Sequence, residues 1–447
     1  MFCLVITATR ATSSCGYSCV SKTWASTRNL LAQWPFDETV LDSTNNYITT
    51  TAETPSYVTG YIKQALSLNS TFNLSLSTSY IPLMNTSFTI DAWLYPTEYP
   101  NLNDHIIAAM CSSFDNNTCL YLTIRNNNSS YNLYLGFYNN DLSGVTNIPL
   151  NKWIHVAFVY DIDNFQQSIY LDGSLESIRN ESSPLLMAND SFSIGDSSNM
   201  FLANASFQGY IDQLSVTNRV KSSCEILEEA TLAAWFTFDN GVLPFLDIGP
   251  FSISATASAY SIISGHSSSQ AISFSGSNNS YFQASDFTAL GISNHPFSIS
   301  LWIYPQSISG TLVHVSSASN GTGWCVPFLG LTANATVVAQ MYNGTILSLL
   351  GSNISMNAWY HVVQTWSPTN GLKLYVNTAM KSLSTATSFM ANDTSSMYVT
   401  LASSLSSSEE CQQGILNSTI PFTGAIDDFR VYSRELTSAD VCTIYNT

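Results

Sequence analysis

At 447 residues the chain has room for two or three domains, each with a full hydrophobic core. Only 10 % of it is charged, and its net charge is −17. With just 13 Lys and Arg, it lacks the cations that nucleic-acid phosphates or an anionic membrane surface require, so both partner classes are excluded. Ser, Thr and Asn take the place of charge on the surface.

Residues 1–28 are rich in Ser, Thr and Cys and are expected to lie outside the folded unit. Met1–Ile6 is apolar but too short, and lacks the basic start, for a signal peptide, so two readings stand: a truncated leader, or a leader that lies upstream. A first domain is expected over 29–229, opening on Trp34-Pro-Phe-Asp37. Phe88-Thr-Ile-Asp-Ala-Trp-Leu-Tyr-Pro96 follows, with Phe88, Ile90 and Ala92 on one face and Trp93 and Tyr95 on the other. That pattern predicts a strand buried on both faces and stopped by a proline, which has no N–H to give a ladder. Tyr131–Tyr138 alternates cleanly, and Trp153–Tyr160 is apolar on both faces, predicting a central strand. Asp172-Gly173 predicts a tight turn. Phe207-Gln-Gly-Tyr-Ile-Asp212 leads to a short helix, whose start is marked by the capping-box pattern Ser222-Ser-Cys-Glu225.

Glu228-Glu229 then runs straight into a Thr231–Phe236 strand, and a second domain, 230–447, repeats the order. Trp235-Phe-Thr-Phe-Asp239 answers Trp34-Pro-Phe-Asp37, and Phe297–Pro305 answers Phe88–Pro96. Asn357-Ala-Trp-Tyr-His-Val362 answers Asn151-Lys-Trp-Ile-His-Val156, and Phe422–Asp427 answers Phe207–Asp212. Asn343-Gly344 and Asn370-Gly371 supply the positive φ angles of two-residue hairpins. Thr437-Ser-Ala-Asp440 opens a second terminal helix. The period is far too long for a solenoid, so one domain has been duplicated. The expected fold is all-β: two tandem antiparallel β-sandwiches, each with a short C-terminal helix.

Taken together, these motifs, with Arg219 or Arg430-Val-Tyr432 after the last of them, resemble the laminin-G-like jelly roll of the concanavalin A-like lectin/glucanase superfamily. The resemblance spans about 30–229 and 230–446. It implies two sheets packed face to face, and it implies function poorly, since that fold serves lectins, adhesion modules and hydrolases alike.

A laminarinase-type hydrolase of this fold needs two carboxylates flanking the scissile bond. Its Glu-x-Asp-x-x-Glu pattern is absent, and Ser193-Ile-Gly-Asp196 lacks the spacing and Trp of a sialidase Asp-box. The expectation is a protein that is not an enzyme. His155 and His361 each stand two residues after a Trp in an apolar strand, and are read as buried, hydrogen-bonded residues. Trp93, Trp153, Trp302 and Trp359 are read as core rather than sugar platforms. Zinc spacings are absent, so cysteines are read as disulfides: Cys111 with Cys119 across a short loop, and Cys325 with Cys411, which lies in an insertion of the second half.

Asp37 and Asp212, with Asp239 and Asp427, are acidic positions matched in both halves; Asp42 and Asp247 are a further pair. Two readings stand: they cap turns, or they hold a structural calcium, which accepts six to eight oxygens in loose geometry and which modules resembling this one often carry. Asn-X-Ser/Thr sequons at Asn69, Asn85, Asn204, Asn343, Asn353, Asn392 and Asn417, among others, combine with nine cysteines to predict a secreted glycoprotein. No run of apolar residues is long enough to span a membrane. The expected function is non-catalytic recognition of glycans through loops of the sandwich. Protein adhesion without sugar binding is the alternative, and glycoside hydrolysis a remote one.

Overall fold

The computed structural model describes residues 15–20, 29–51, 53–68, 76–100, 104–111, 113, 115–128, 130–187, 190–196, 205–239, 245–393, 396–405, 411–412, 414–416 and 420–447. Both halves are β-sandwiches of one eight-stranded and one seven-stranded sheet, with every strand pairing antiparallel. In the first half the eight-stranded sheet runs Ser174–Arg179, Gln166–Leu171, Ile154–Asp161, Phe88–Pro96, Gly209–Thr217, Gln64–Leu68, Ser56–Thr59, and Leu30–Trp34 also pairs with Gly209–Thr217. The second half repeats that order with Ala379–Ser384, Gly371–Val376, Tyr360–Ser367, Phe297–Pro305, Thr423–Tyr432, Gln270–Ser275 and Tyr260–Ser264, and Leu232–Phe236 pairs with Thr423–Tyr432.

The repeated strand is central in both sheets because alternate residues fill different layers. Phe88, Ile90, Ala92 and Leu94 point between the sheets, where they join Leu122, Leu133, Leu135 and Phe137 in the first core. Trp93 points the other way. Its cross-strand partners are His155 on one side and Asp212 on the other; Trp302 stands likewise between His361 and Asp427. The Trp-x-Phe-Asp motifs align one residue differently than the sequence suggests. Trp34 lies opposite Leu214 and Phe236 opposite Phe429, so Phe236, not Trp235, is the counterpart of Trp34. Trp34 is fully buried in the core, whereas Trp235 faces outward against the guanidinium of Arg430, 3.8 Å from its ring.

Helix α1 (Ser223–Thr231) and helix α2 (Ser438–Tyr445) each begin with a complete capping box, at Ser222/Glu225 and Thr437/Asp440. Ile226 of α1 packs on Ala157 and Val159, and α2 lays Val441 and Ile444 on Val363, Tyr375 and Tyr432. The chain leaves α1 directly into Leu232–Phe236 with no linker. The halves also share a core contact: Tyr61 and Ile62, from a first-half turn, are buried in the second-half cluster, where Tyr61 meets Phe251 edge-on at 6.2 Å.

Residues 15–20 do not lie outside the fold. Cys19 is bonded to Cys224 of α1 and Cys15 to Cys442 of α2, Ser18 donates to Asp440 at 2.7 Å, and Val20 is buried beside α2. Cysteine pairing across the duplication overrides the polar composition that marked the segment as a tail. Cys111 pairs with Cys119 and Cys325 with Cys411. Among the described residues no helix is long and apolar enough to cross a membrane.

Candidate functional site

The outward face of each eight-stranded sheet carries a corner built by two local devices. The last strand bulges after the aspartate, between Asp212 and Ser215 and between Asp427 and Arg430, where Gln213 and Asp428 take positive φ (51° and 46°). The bulge aims the aspartate at a tight turn that begins with Gly60 or Gly265. A Cβ on these glycines would sit 2.6 Å from Asp212 Oδ2 and 2.5 Å from Asp427 Oδ2, so only glycine lets the carboxylate reach the turn. Asp212 Oδ2 accepts from Ile62 N–H at 3.0 Å, and Asp427 Oδ2 accepts from His266 N–H at 2.8 Å and Ser269 Oγ at 2.9 Å. Asp37 and Asp239 accept from the far side of the same turns, at Gln64 N–H and Gln270 N–H. Burial pushes the Asp212 carboxyl well above the usual range and raises that of Asp427 to about 7, with Asp37 and Asp239 respectively adding like charge.

The structure thus brings Asp37 to Asp212 and Asp239 to Asp427. N–H groups take part of their oxygens and the Lys63 ammonium pairs with Asp37 at 3.1 Å, while the buried Asp212 Oδ1 has no hydrogen-bond partner among the described residues. Asp42 and Asp247 are turn caps too, each accepting from at least three backbone N–H groups. Among the described residues the one grouping of three metal-type ligands is His314 with Cys325 and Cys411, whose two sulfurs are joined.

Over each corner a ring stacks on the outward tryptophan: Tyr61 on Trp93 with centroids 3.4 Å apart, and His266 on Trp302 at 3.5 Å. Trp93 and Trp302 are therefore buried, as expected, but in the layer outside the sheet rather than between the sheets. Trp153 and Trp359, expected in the core, are only half-buried on that outer face. Alternation along the strand sets this layer, and the covering turn and helix then hide part of it.

Beneath the rings lie buried titratable groups. Burial lowers His155 to about 4 and His361 to about 3, so both are neutral at physiological pH. His361 Nε2 shares a 2.8 Å hydrogen bond with Ser300 Oγ, which is fully buried. In the first half Asp91 and Glu229 both lie 2.7 Å from the ammonium of Lys221, which is 1 % exposed. That ammonium stands between the two carboxylates and pins the end of α1 to the central strand. It does not leave them flanking an open bond. Sequence reading missed Lys221 because its partners lie 130 and 8 residues away.

A groove of about 660 Å³ opens between the halves. One wall is the half-buried ring cluster Tyr95, Trp153 and Tyr210: Tyr95 and Tyr210 stack at 5.2 Å, and Trp153 lies 5.4 Å from Tyr95. The facing wall is polar, with exposed Asn294 and Asp393; Asp393 is held by Ser293 N–H and by Ser293 Oγ at 2.7 Å. Asn151 completes the first wall. Of the sequons, Asn85 and Asn353 are exposed and Asn343 and Asn392 half-buried, while Asn69, Asn204 and Asn417 lie outside the described residues.

The family model of the concanavalin A-like lectin/glucanases superfamily matches residues 69–227 and 274–442, well over half of the sequence and once in each sandwich. The chain belongs to that superfamily. Among solved structures, this superfamily member is similar to domain 4 of AbnA, a GH43 extracellular arabinanase from Geobacillus stearothermophilus, in complex with arabinotriose. The two are 21 % identical over 44 % of this chain and 97 % of that one, with a TM-score of 0.38. It is also similar to domains LG4-5 of the mouse laminin alpha1 chain, at 15 % identity over 86 % and 93 % of the two chains and a TM-score of 0.28. A third is the CBM40 of the Ruminococcus gnavus IT-sialidase bound to alpha2,3 sialyllactose, at 16 % identity, 32 % and 81 % coverage and a TM-score of 0.28. No curated protein matches in sequence.

Proposed function

We propose that this protein is a secreted, non-catalytic glycan-binding protein whose site is the groove between the two halves. The observation that carries the reading is the ring cluster of Tyr95, Trp153 and Tyr210 facing the polar groups of Asn294 and Asp393. A sugar ring has an apolar face and a rim of hydroxyls; aromatic rings cover the first, and amide and carboxylate groups bond the second. Pockets of this size, with a few convergent polar groups, are the usual form of a small-ligand site. The four disulfides and the exposed sequons support an extracellular setting.

The test is a glycan array probed with the full chain, followed by titration of any hit. Trp153→Ala should weaken the hit by roughly tenfold to a hundredfold, the loss expected for a stacking ring worth about 1.5–3 kcal/mol on burial. An array without hits, or a hit indifferent to Trp153→Ala and Asp393→Ala, overturns the reading and leaves protein adhesion as the function of the same groove.

A further inference from the structure

The hairpin that joins Ile154–Asp161 to Gln166–Leu171 carries a ring where backbone chemistry disfavours one. Phe165 takes φ 49° there, with 51 % of its surface exposed. A left-handed backbone is costly for a bulky side chain, and an exposed ring gains little from burial to offset it. The matching hairpin of the second half gives its positive φ, 72°, to Gly371 instead. Beside Phe165, where the next strand ends, Asn180 opens the sequon Asn180-Glu-Ser182. In the second half Ser384 takes the place of Arg179 in the sheet, and the residue after it is Thr385, where no sequon begins. Ring and sequon thus stand together in the first half, and the second half has neither at these positions.

Phe165 and Asn180 line one open recess of about 570 Å³. Asn180 is exposed, and its Oδ1 accepts from Gln166 Nε2 at 2.8 Å, which orients the amide and leaves Nδ2 out of that bond. We propose that Asn180 is N-glycosylated and that the first N-acetylglucosamine of its glycan packs on Phe165 in this recess. The transfer forms a bond from Nδ2 to the sugar C1 and breaks the C1–O bond to the diphosphate of a lipid-linked oligosaccharide donor. The proton lost from Nδ2 leaves with that diphosphate. A sugar presents an apolar C–H face to an aromatic ring, and Asn164 and Ser183, exposed on the same recess, offer groups to its hydroxyls and acetamide. The sugar covers the ring that the fold leaves bare, and it braces a hairpin already tied by Ser182 N–H to the Phe165 carbonyl at 2.8 Å. This inference rests on the secreted setting of the chain.

The experiment is secretion of the full chain from insect cells behind a cleavable leader, with glycopeptide mass spectrometry at every sequon. Melting temperatures follow for the parent, Asn180→Gln, Phe165→Ala and the double variant; both positions are exposed, so all four chains should fold. Asn180 should be occupied. Asn180→Gln should lower the melting temperature by about 2–4 °C, the shift expected when one stacking contact is lost from a domain of this size. In the Phe165→Ala background the same substitution should leave it unchanged; the lost Gln166 bond is common to both comparisons and cancels. Trimming the glycans to a single N-acetylglucosamine should preserve the difference. Asn180 bare while other sequons are occupied overturns the inference and leaves the secreted setting standing, whereas a chain bare at every sequon overturns both. An occupied Asn180 whose loss costs nothing, or costs the same without Phe165, overturns the packing on the ring.

Discussion

Replacing Lys221 by methionine should destabilise the protein by about 3–5 kcal/mol at neutral pH, the usual cost of removing one partner from a buried ion pair. Lys221 is 1 % exposed and, among the described residues, carries the one positive charge paired with Asp91 and Glu229. Without it, two buried carboxylates face each other. Burial already raises Glu229, and loss of the neighbouring ammonium would raise it further. A carboxyl raised in this way costs stability above its unfolded pKa, near 4, and the cost is relieved as protons bind. The loss should therefore be largest above pH 8 and shrink steadily on acidification toward pH 4. Urea unfolding at several pH values checks both size and sign. A loss independent of pH would mean that the methylene stem of Lys221, not its charge, holds α1 to the sheet. Replacing all three residues by apolar ones of similar volume should recover much of the loss.

The second large effect is expected at Cys325 and Cys411. The bond closes a loop of 86 residues, and in the chain-entropy model its removal costs about 4–5 kcal/mol. Both cysteines are buried beside His314, so replacing them by alanine opens no solvent path and tests chiefly the constraint on the unfolded chain. Cys325→Ala/Cys411→Ala should lower the melting temperature, and non-reducing peptide maps of the parent should show the linked pair. Free thiols at both positions, or an unchanged melting temperature, would count against it.

The fold was legible because its signals are periodic and occur twice. Phe88–Pro96 and Phe297–Pro305 alternate, and both capping boxes are local chemistry that tertiary packing did not override. The Asn-Gly pairs mark the two hairpins but not their form: the loops are three residues long, 343–345 and 368–370, and only Gly344 and Gly371 take positive φ, not Asn343 or Asn370. Burial was legible, but the layer was not. Alternation puts Trp93 opposite the core residues; it does not say that Tyr61 will come across and cover it. The pairing of Asp37 with Asp212 follows from the first and last strands being neighbours, and so was within reach of the sequence. That Lys63 would settle beside Asp37 was not, because lysine in a turn is ordinarily solvated. The groove depends on how the halves meet, and no periodicity within either half encodes that. Trp153 shows the limit well: the same apolar strand context marks a core residue and a half-open binding wall.

The strap at residues 15–20 has a mechanical meaning. Cys15 and Cys442 are 427 residues apart in sequence yet joined by one bond, so nearly the whole chain between them is a closed covalent ring. Tension applied upstream of Cys15 and downstream of Cys442 would pass straight through that bond. The sandwiches would hang beside the load path and bear none of it. Anything tethered on one side could be pulled against anything tethered on the other without stretching the groove between the halves. Only reduction of that single cystine would redirect the force, first onto the smaller ring closed by Cys19 and Cys224 and then onto the second sandwich.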